Sequence, residues 1–154
     1  MAYFQIYQEQ KVPASIDEVW DFISSPANLK NITPDYMGFD ITTPDLPEKM
    51  YAGMIIGYRV SPVFGIKMNW LTEITQVKDR EFFIDEQRVG PYKLWHHQHI
   101  IKPIDKGVLM NDIVTYIPPG WFLGNIANSL MIKKKLREIF DFRRKAVEDI
   151  FGKY

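Results

Sequence analysis

All three histidines of the chain fall in one short segment, GPYKLWHHQHI, which covers residues 90–100. Aromatic and apolar residues dominate this segment, so we expect most of it to form a β-strand. Successive side chains of a strand point to opposite faces, so His97 and His99 share one face and His96 lies on the other. Clustered histidines can bind a metal, transfer protons, or supply polar groups in the wall of a binding pocket.

The turns on either side of this strand predict which residues lie opposite the histidines. A two-residue turn at 90–91 places Trp95 opposite Glu86, and an even-length turn in the next hairpin places His99 opposite Asp112. A turn with an odd number of residues would reverse the assignment. The predicted shared face consists of Phe82, Ile84, Glu86, Trp95, His97, His99, Asp112, Val114 and Tyr116. An apolar face with a few polar groups is typical of a ligand pocket.

Three interpretations of the polar residues on this face follow. A metal site needs at least three protein ligands, and nothing in the sequence requires Asp112 or Glu86 to join the histidines, so we expect no metal and no cofactor. Acid–base catalysis would use His99 oriented by Asp112. The preferred interpretation is that His97, His99 and Asp112 are buried, hydrogen-bonded groups that orient a bound guest.

Other residues are candidates for the same pocket. Tyr58 and Arg59 lie on opposite faces of one predicted strand, so only one of them can enter it. Met54 would give a compliant apolar lining, although plain core packing is an equal alternative. The predicted ligand-binding set is Met54, Tyr58, Trp70, Glu86, Trp95, His97, His99, Asp112 and Tyr116.

Composition restricts the class of protein. The 154 residues suit a single domain over 1–154, with 46% hydrophobic residues and no cysteine. Disulfides, thiolate catalysis and cysteine-bound zinc are thereby excluded. Lysine plus arginine equals aspartate plus glutamate at 19 each, so no basic field attracts nucleic acid. The first residues lack the pattern of a signal peptide, so we expect a cytoplasmic protein of undetermined oligomeric state.

The order of predicted elements indicates an α+β fold. Ser15 and Glu18 have the spacing of a capping box, and Pro26 follows Ser25 at the start of a second short helix. A C-terminal helix over 120–151 carries an apolar stripe that includes Leu130 and Leu136. The predicted strands cover residues 3–12, 37–43, 50–61, 66–78, 80–88, 91–102 and 107–117. Short connections require hairpins, so we predict a curved antiparallel sheet around the long helix, its first strand beside its last, with a cavity between sheet and helix.

The chain resembles a known superfamily over nearly its whole length. The segments that carry the resemblance are, in order, VPASIDEVWDFISSPANLKNITP, MYAGMIIGYRV, WLTEIT, FIDEQRVGPYKLWHHQHI, DIVTYIPPG and IFDFRRKAVEDIF. They are similar to the START-like, birch-pollen-allergen-like superfamily (SRPBCC), and most of all to its bacterial ligand-binding and polyketide-cyclase-like members. The resemblance implies a helix-grip fold and a hydrophobic cavity for a small molecule, but no particular reaction, because fold alone does not determine function.

The segment PPGWFLGNIANSLMIKKKLR, residues 118–137, could control entry to such a cavity. Trp121 and Phe122 lie near a cluster of basic residues, a combination that suits weak contact with a membrane surface. A lid over the sheet is the preferred interpretation, and polar residues make the segment a poor transmembrane helix.

These observations predict binding of a small hydrophobic or amphipathic molecule by a carrier, sensor or sequestering protein. The first alternative is a cyclase- or hydrolase-like enzyme that uses His99 and Asp112 in the same cavity. The second alternative is a regulatory protein-interaction module whose cavity is filled by its own side chains.

Overall fold

A seven-stranded antiparallel sheet is the main element of the computed structural model, which describes residues 3–61, 65–118 and 126–154. The strand order is β1-β7-β6-β5-β4-β3-β2, so the first strand lies beside the last, as predicted. The sheet is curved and unclosed. Its strands are β1 (Phe4–Val12), β2 (Asp40–Ile41), β3 (Met54–Val60), β4 (Met68–Lys78), β5 (Phe82–Val89), β6 (Leu94–Ile104) and β7 (Gly107–Ile117).

Short helices follow β1. Helix α1 (Ile16–Ile23) begins at the predicted capping box, in which the Ser15 side chain accepts from the Glu18 amide and the Glu18 carboxylate accepts from the Ser15 amide. The predicted second helix is a 3₁₀ helix over Pro26–Ile32, and a further 3₁₀ turn covers Asp35–Met37. The predicted strand over 37–43 is only the two residues of β2, and its predicted start is lost because Met37 lies in the 3₁₀ turn, which Gly38 ends at positive φ.

The long helix α2 (Ile126–Phe151) packs against the inner face of the sheet. Two glutamines of β1 form hydrogen bonds to this helix. The Gln8 side-chain amide donates to the Phe140 carbonyl at 3.1 Å, and the Gln10 side-chain amide donates to the Arg144 carbonyl at 2.9 Å. The Arg144 guanidinium returns a hydrogen bond to the Glu9 carbonyl at 2.9 Å. Main-chain and side-chain groups therefore both hold the helix to the edge strand.

Part of the predicted stripe on α2 is confirmed. Leu136, Phe140 and Val147 are buried, but Leu130 is 61% exposed and does not belong to the inner face. The predicted helix start falls in residues 119–125, which lie outside the described part of the chain.

The face assignment of β5 is wrong by one residue. In the structure Asp85 pairs with His97 and Glu86 pairs with His96, so Phe82, Ile84 and Glu86 lie on the face opposite to His97 and His99. The physical cause is the connection: the Gln87 side chain donates to the Tyr92 carbonyl and accepts from the Tyr92 amide, which widens the expected two-residue turn to an odd number of residues. The inner residues of β5 are Phe83 and Asp85.

The register of β6 with β7 is confirmed. His99 pairs with Asp112, His97 with Val114 and Trp95 with Tyr116. Exposure alternates along the whole of β7, as expected for a strand with one buried face.

A close approach at the start of β7 generates a stability prediction. A Cβ atom on Gly107 would overlap the main-chain oxygen of Val12, which cannot move without disturbing the pairing of β1 and β7. We expect Gly107→Ala to lower the free energy of unfolding by about 1–3 kcal/mol in a urea titration, the usual cost of overpacking. Lys102→Ala, at an exposed position of β6, should change it by less than about 0.5 kcal/mol. Equal stability of the two variants would contradict the prediction.

Candidate functional site

A cavity of about 160 Å³ lies between the inner face of the sheet and α2. Apolar side chains form most of its wall. The sheet contributes Tyr58, Trp70, Thr72, Phe83, Asp85, Trp95, His97 and His99, among others. Helix α2 contributes Leu136, Ile139, Phe140 and Arg143, and the short helices contribute Leu29, Ile32 and Met37.

Three aromatic rings form one part of this wall. The ring centroids of Trp70 and Trp95 are 5.3 Å apart. The ring centroid of Tyr92 lies 5.7 Å from that of Trp70 and 5.0 Å from that of Trp95. These edge-to-face and tilted contacts are the arrangements that aromatic pairs prefer. The indole N–H of Trp70 donates to the Thr72 hydroxyl at 3.0 Å, so the ring is held by a polar contact as well as by packing.

Two histidines and a carboxylate form a polar cluster elsewhere in the wall. Asp85 accepts a hydrogen bond from Nε2 of His99 at 2.6 Å, and its Oδ2 lies 3.5 Å from Nδ1 of His97. The imidazole rings of His97 and His99 lie 3.6 Å apart between centroids, and the ring of Phe83 stacks on that of His99. Both histidines are only 4% exposed, so they are effectively removed from bulk water.

Asp112 lies behind the histidines and connects them to α2. Its Oδ1 accepts from Nε2 of His97 at 2.8 Å and lies 3.3 Å from Nδ1 of His99. The Arg143 guanidinium donates to Nδ1 of His99 at 3.2 Å and lies 3.5 Å from Oδ1 of Asp112. Each imidazole therefore has one carboxylate near each of its two ring nitrogens.

Burial and charge together determine the protonation of this cluster. Burial lowers the pKa of His97 to about 4, and the neighbouring His99 acts in the same direction, so His97 is neutral near pH 7. Burial by itself would raise the pKa of Asp112, but the charge of Arg143 and the hydrogen bond from His97 hold it well below its ordinary value. The pKa of Asp85 is also lowered, because contacts with His99, His97 and Arg143 outweigh the effect of burial.

The tyrosines beside the cavity stay protonated. Burial raises the pKa of Tyr58, with a contribution from the charge of Asp85, and burial likewise raises the pKa of Tyr92. Both therefore present neutral phenol groups near pH 7.

Among the described residues, Asp85, His97 and His99 are the one group of at least three potential metal ligands that come together. One ligand atom from each lies within 4.8 Å of the other two. Nitrogen and carboxylate ligands of this kind suit divalent transition metals.

The predicted pocket residues separate into groups. Tyr58, Trp70, Trp95, His97 and His99 all line the cavity. Asp112 does not line it but lies directly behind the histidines. Tyr116 is buried on the same sheet face and packs against Phe4 and Tyr92, and Met54 belongs to the apolar core. Glu86 is on the opposite face, where its carboxylate contacts Nδ1 of His96 at 3.0 Å.

Two charged residues of the cavity were not predicted. Asp85 lies next to Glu86 in the sequence, and an odd-length turn before β6 would have identified it. Arg143 follows Leu136 and Phe140 at helical spacing on α2. This spacing places it on the buried face of the helix and could have identified it from the sequence. The pairing of Gln87 with Tyr92, which brings Tyr92 to the cavity, had no sequence signal that we recognise.

The predicted lid and membrane-contact residues, Trp121 and Phe122, lie outside the described residues. In the part of the chain that the structure describes, no helix combines the length and apolar character needed to cross a bilayer.

Comparison with known proteins identifies the fold. No protein-family model matches the chain, and no curated protein matches its sequence. Solved structures do match its architecture. The crystal structure of Ara h 8.0201 matches with a TM-score of 0.60 at 12% identity, over 96% of this chain and 99% of that one.

Two further structures agree with this result. A protein from Nitrosomonas europaea matches with a TM-score of 0.68 at 14% identity, over 94% of this chain and 92% of that one. The major latex-like protein 151 from Panax ginseng matches with a TM-score of 0.56 at 11% identity, over 90% and 95% of the two chains. The chain therefore has the helix-grip fold of the START-like, birch-pollen-allergen-like superfamily, as its sequence resemblance implied.

Proposed function

We propose that the protein binds a small, mainly hydrophobic molecule that carries one polar group, in the cavity between the sheet and α2. One observation carries the proposal: a single cavity joins an aromatic and aliphatic wall to the cluster of Asp85, His97, His99 and Arg143. Burial of apolar surface would supply most of the affinity, and the polar groups would select and orient the guest. A carrier, sensor or sequestering role in the cytoplasm is consistent with this chemistry.

The cavity volume suggests the size of the guest. An apolar cavity of roughly 150 Å³ is large enough to admit benzene, and this cavity measures about 160 Å³. We therefore expect a guest with about one aromatic ring or an aliphatic body of similar size. The same volume argues against the alternative in which the protein's own side chains fill the space.

Arg143 suggests the chemistry of the polar group. Its Nε is buried without a hydrogen-bond partner among the described residues. An unpaired buried donor costs about 1–3 kcal/mol, and an oxygen acceptor on a guest within reach could recover part of that cost. A phenol, ketone or similar oxygen-bearing ring fits both this donor and the neutral tyrosine hydroxyls of the wall.

Binding is favoured over acid–base catalysis by the existing contacts of His99. Its Nε2 donates to Asp85 and its Nδ1 accepts from Arg143. Neither nitrogen is free to take a proton from a guest in this conformation, whereas a general base needs such a nitrogen within hydrogen-bond reach.

The aromatic wall gives the first test of ligand binding. We expect phenol or indole to bind the wild-type protein in calorimetric titrations with a negative heat-capacity change, because apolar surface becomes buried. Trp95→Ala should weaken that binding about tenfold or more while the protein remains folded by circular dichroism. The matched control is Leu94→Ala, which alters the adjacent side chain on the opposite, more exposed face of β6. Equal weakening by both variants, or no saturable binding to the wild type, would refute the proposal.

Filling the cavity provides a second test that preserves the wall. Ile139 lines the cavity from α2, and Ile139→Trp would place additional ring atoms in the space that a guest needs. We expect this variant to abolish binding of the same ring compounds without loss of helix content. Leu130→Trp, at a 61% exposed position of the same helix, should bind them as the wild type does. Undiminished binding by the Ile139 variant would show that the guest occupies some other site.

A further inference from the structure

We infer that Asp85, His97 and His99 form a binding site for one divalent transition-metal ion on the wall of the cavity. The inference goes beyond the proposed binding of an organic guest and does not depend on it. The sequence alone led us to expect no metal, because the third ligand was not evident. The observed register supplies that ligand, since it places Asp85 directly across from His97 on the inner face.

The three ligand atoms lie within 4.8 Å of one another, and two of their separations can be compared with what a metal requires. Zinc binds imidazole nitrogen and carboxylate oxygen at about 2.0–2.2 Å, so ligand atoms in a tetrahedral site lie about 3.3–3.5 Å apart. Oδ2 of Asp85 lies 3.5 Å from Nδ1 of His97, which matches. The same oxygen lies 2.6 Å from Nε2 of His99, where a proton now joins the two atoms. A metal that replaces this proton must separate that pair by less than about 1 Å.

The contacts of His97 leave one ring nitrogen available to a metal. Its Nε2–H donates to Asp112, and a neutral imidazole has only one N–H to donate. Nδ1 of His97 is then the nitrogen that can bind a metal, and it lies 3.5 Å from the carboxylate oxygen of Asp85. A cation between these two atoms would be coordinated by both. No such cation is needed by an ordinary histidine–aspartate pair, in which one ring nitrogen meets one carboxylate.

The balance of buried charge supports the same conclusion. Two carboxylates, those of Asp85 and Asp112, surround the two histidines, but only one guanidinium, that of Arg143, approaches them among the described residues. Apart from the imidazoles, these groups carry two negative charges and one positive charge in a region removed from water. Buried charge of this kind is costly unless it is paired or coordinates a metal.

Asp112 occupies the position of a supporting carboxylate. Histidines that bind metals usually donate their second ring nitrogen to a carboxylate or carbonyl, which orients the ring. Oδ1 of Asp112 lies 2.8 Å from Nε2 of His97 and 3.3 Å from Nδ1 of His99, the two nitrogens that would face away from the metal. Metal binding through Nε2 of His99 would move its proton to Nδ1. The Nδ1–H group could then donate to Asp112, and Arg143 would lose its hydrogen bond to that nitrogen.

The donor set identifies the class of metal. Two imidazole nitrogens and one carboxylate oxygen favour zinc, iron(II), cobalt(II) or nickel(II) over magnesium and calcium, which prefer oxygen ligands alone. Three protein ligands leave at least one coordination position for water or for a polar group of a guest, and both histidines and Asp85 line the cavity.

The experiment uses the full chain, stripped of metal with a chelator and then titrated with zinc by calorimetry and with cobalt(II) by visible absorption. We expect one ion per chain and, for cobalt, the intense absorption bands of a four- or five-coordinate site. Asp85→Asn and His97→Ala should each weaken zinc binding at least about 100-fold. Asp112→Asn, which removes only a supporting contact, should weaken it roughly 10- to 100-fold.

Matched controls come from the opposite face of the same two strands. Glu86→Gln and His96→Ala change the same types of group in a contacting pair outside the cavity, and both should bind zinc as the wild type does. Circular dichroism identifies variants that fold, and Asp85→Asn preserves side-chain volume if His97→Ala does not fold.

Absence of saturable zinc binding by the wild type, or undiminished binding by folded Asp85→Asn, would overturn the inference. Loss of binding in His96→Ala would also overturn it, because the ion would then lie on the outer face. Titrations of ring compounds in excess chelator test the organic guest separately, so failure of either proposal can be distinguished from failure of the other.

Discussion

Ionised side chains buried between a sheet and a helix must find their counter-charges within that interface. Asp85 and Asp112 are ionised inside the protein. The guanidinium of Arg143 on α2 contacts both Asp112 and His99, the hydrogen-bond partner of Asp85. An uncompensated charge in this position would cost several kcal/mol. This requirement ties the rotation of α2 to the register of β5, β6 and β7. The same rotation turns Leu136 and Phe140 toward the sheet and so determines which side chains surround the cavity.

The three histidines of β6 lie in two different environments because successive residues of the strand point to opposite faces of the sheet. His97 and His99 face a buried interior with two carboxylates and a guanidinium, whereas His96 contacts Glu86 on the partly exposed face. Identical side chains one residue apart thus differ in environment because of the pleat of the strand, not because of sequence distance. Function assigned from a histidine motif in such a segment depends entirely on the register of the neighbouring strands.

The sequence predicted the β6–β7 side of the site and failed on the β5–β6 side for identifiable reasons. The connection Asp105-Lys106 is a tight two-residue turn with Lys106 at positive φ, so the pairing of His99 with Asp112 followed from turn chemistry. The connection before β6 depends on the Gln87 side chain, which forms hydrogen bonds with both the amide and the carbonyl of Tyr92. Side-chain bonds of this type leave no periodic signal, and the resulting shift of one residue exchanged Glu86 for Asp85.

The attachment of β1 to α2 has a consequence for behaviour at high concentration. An open sheet has two edges at which another chain can add a strand, and long exposed edges favour aggregation. At one edge, Gln8, Gln10 and Arg144 bind β1 to the helix, and Arg144 occupies the Glu9 carbonyl that an incoming strand would need. At the other edge, β2 has only two residues and offers little template. The sheet can therefore remain open around its cavity, without closing into a barrel, and still resist intermolecular strand addition.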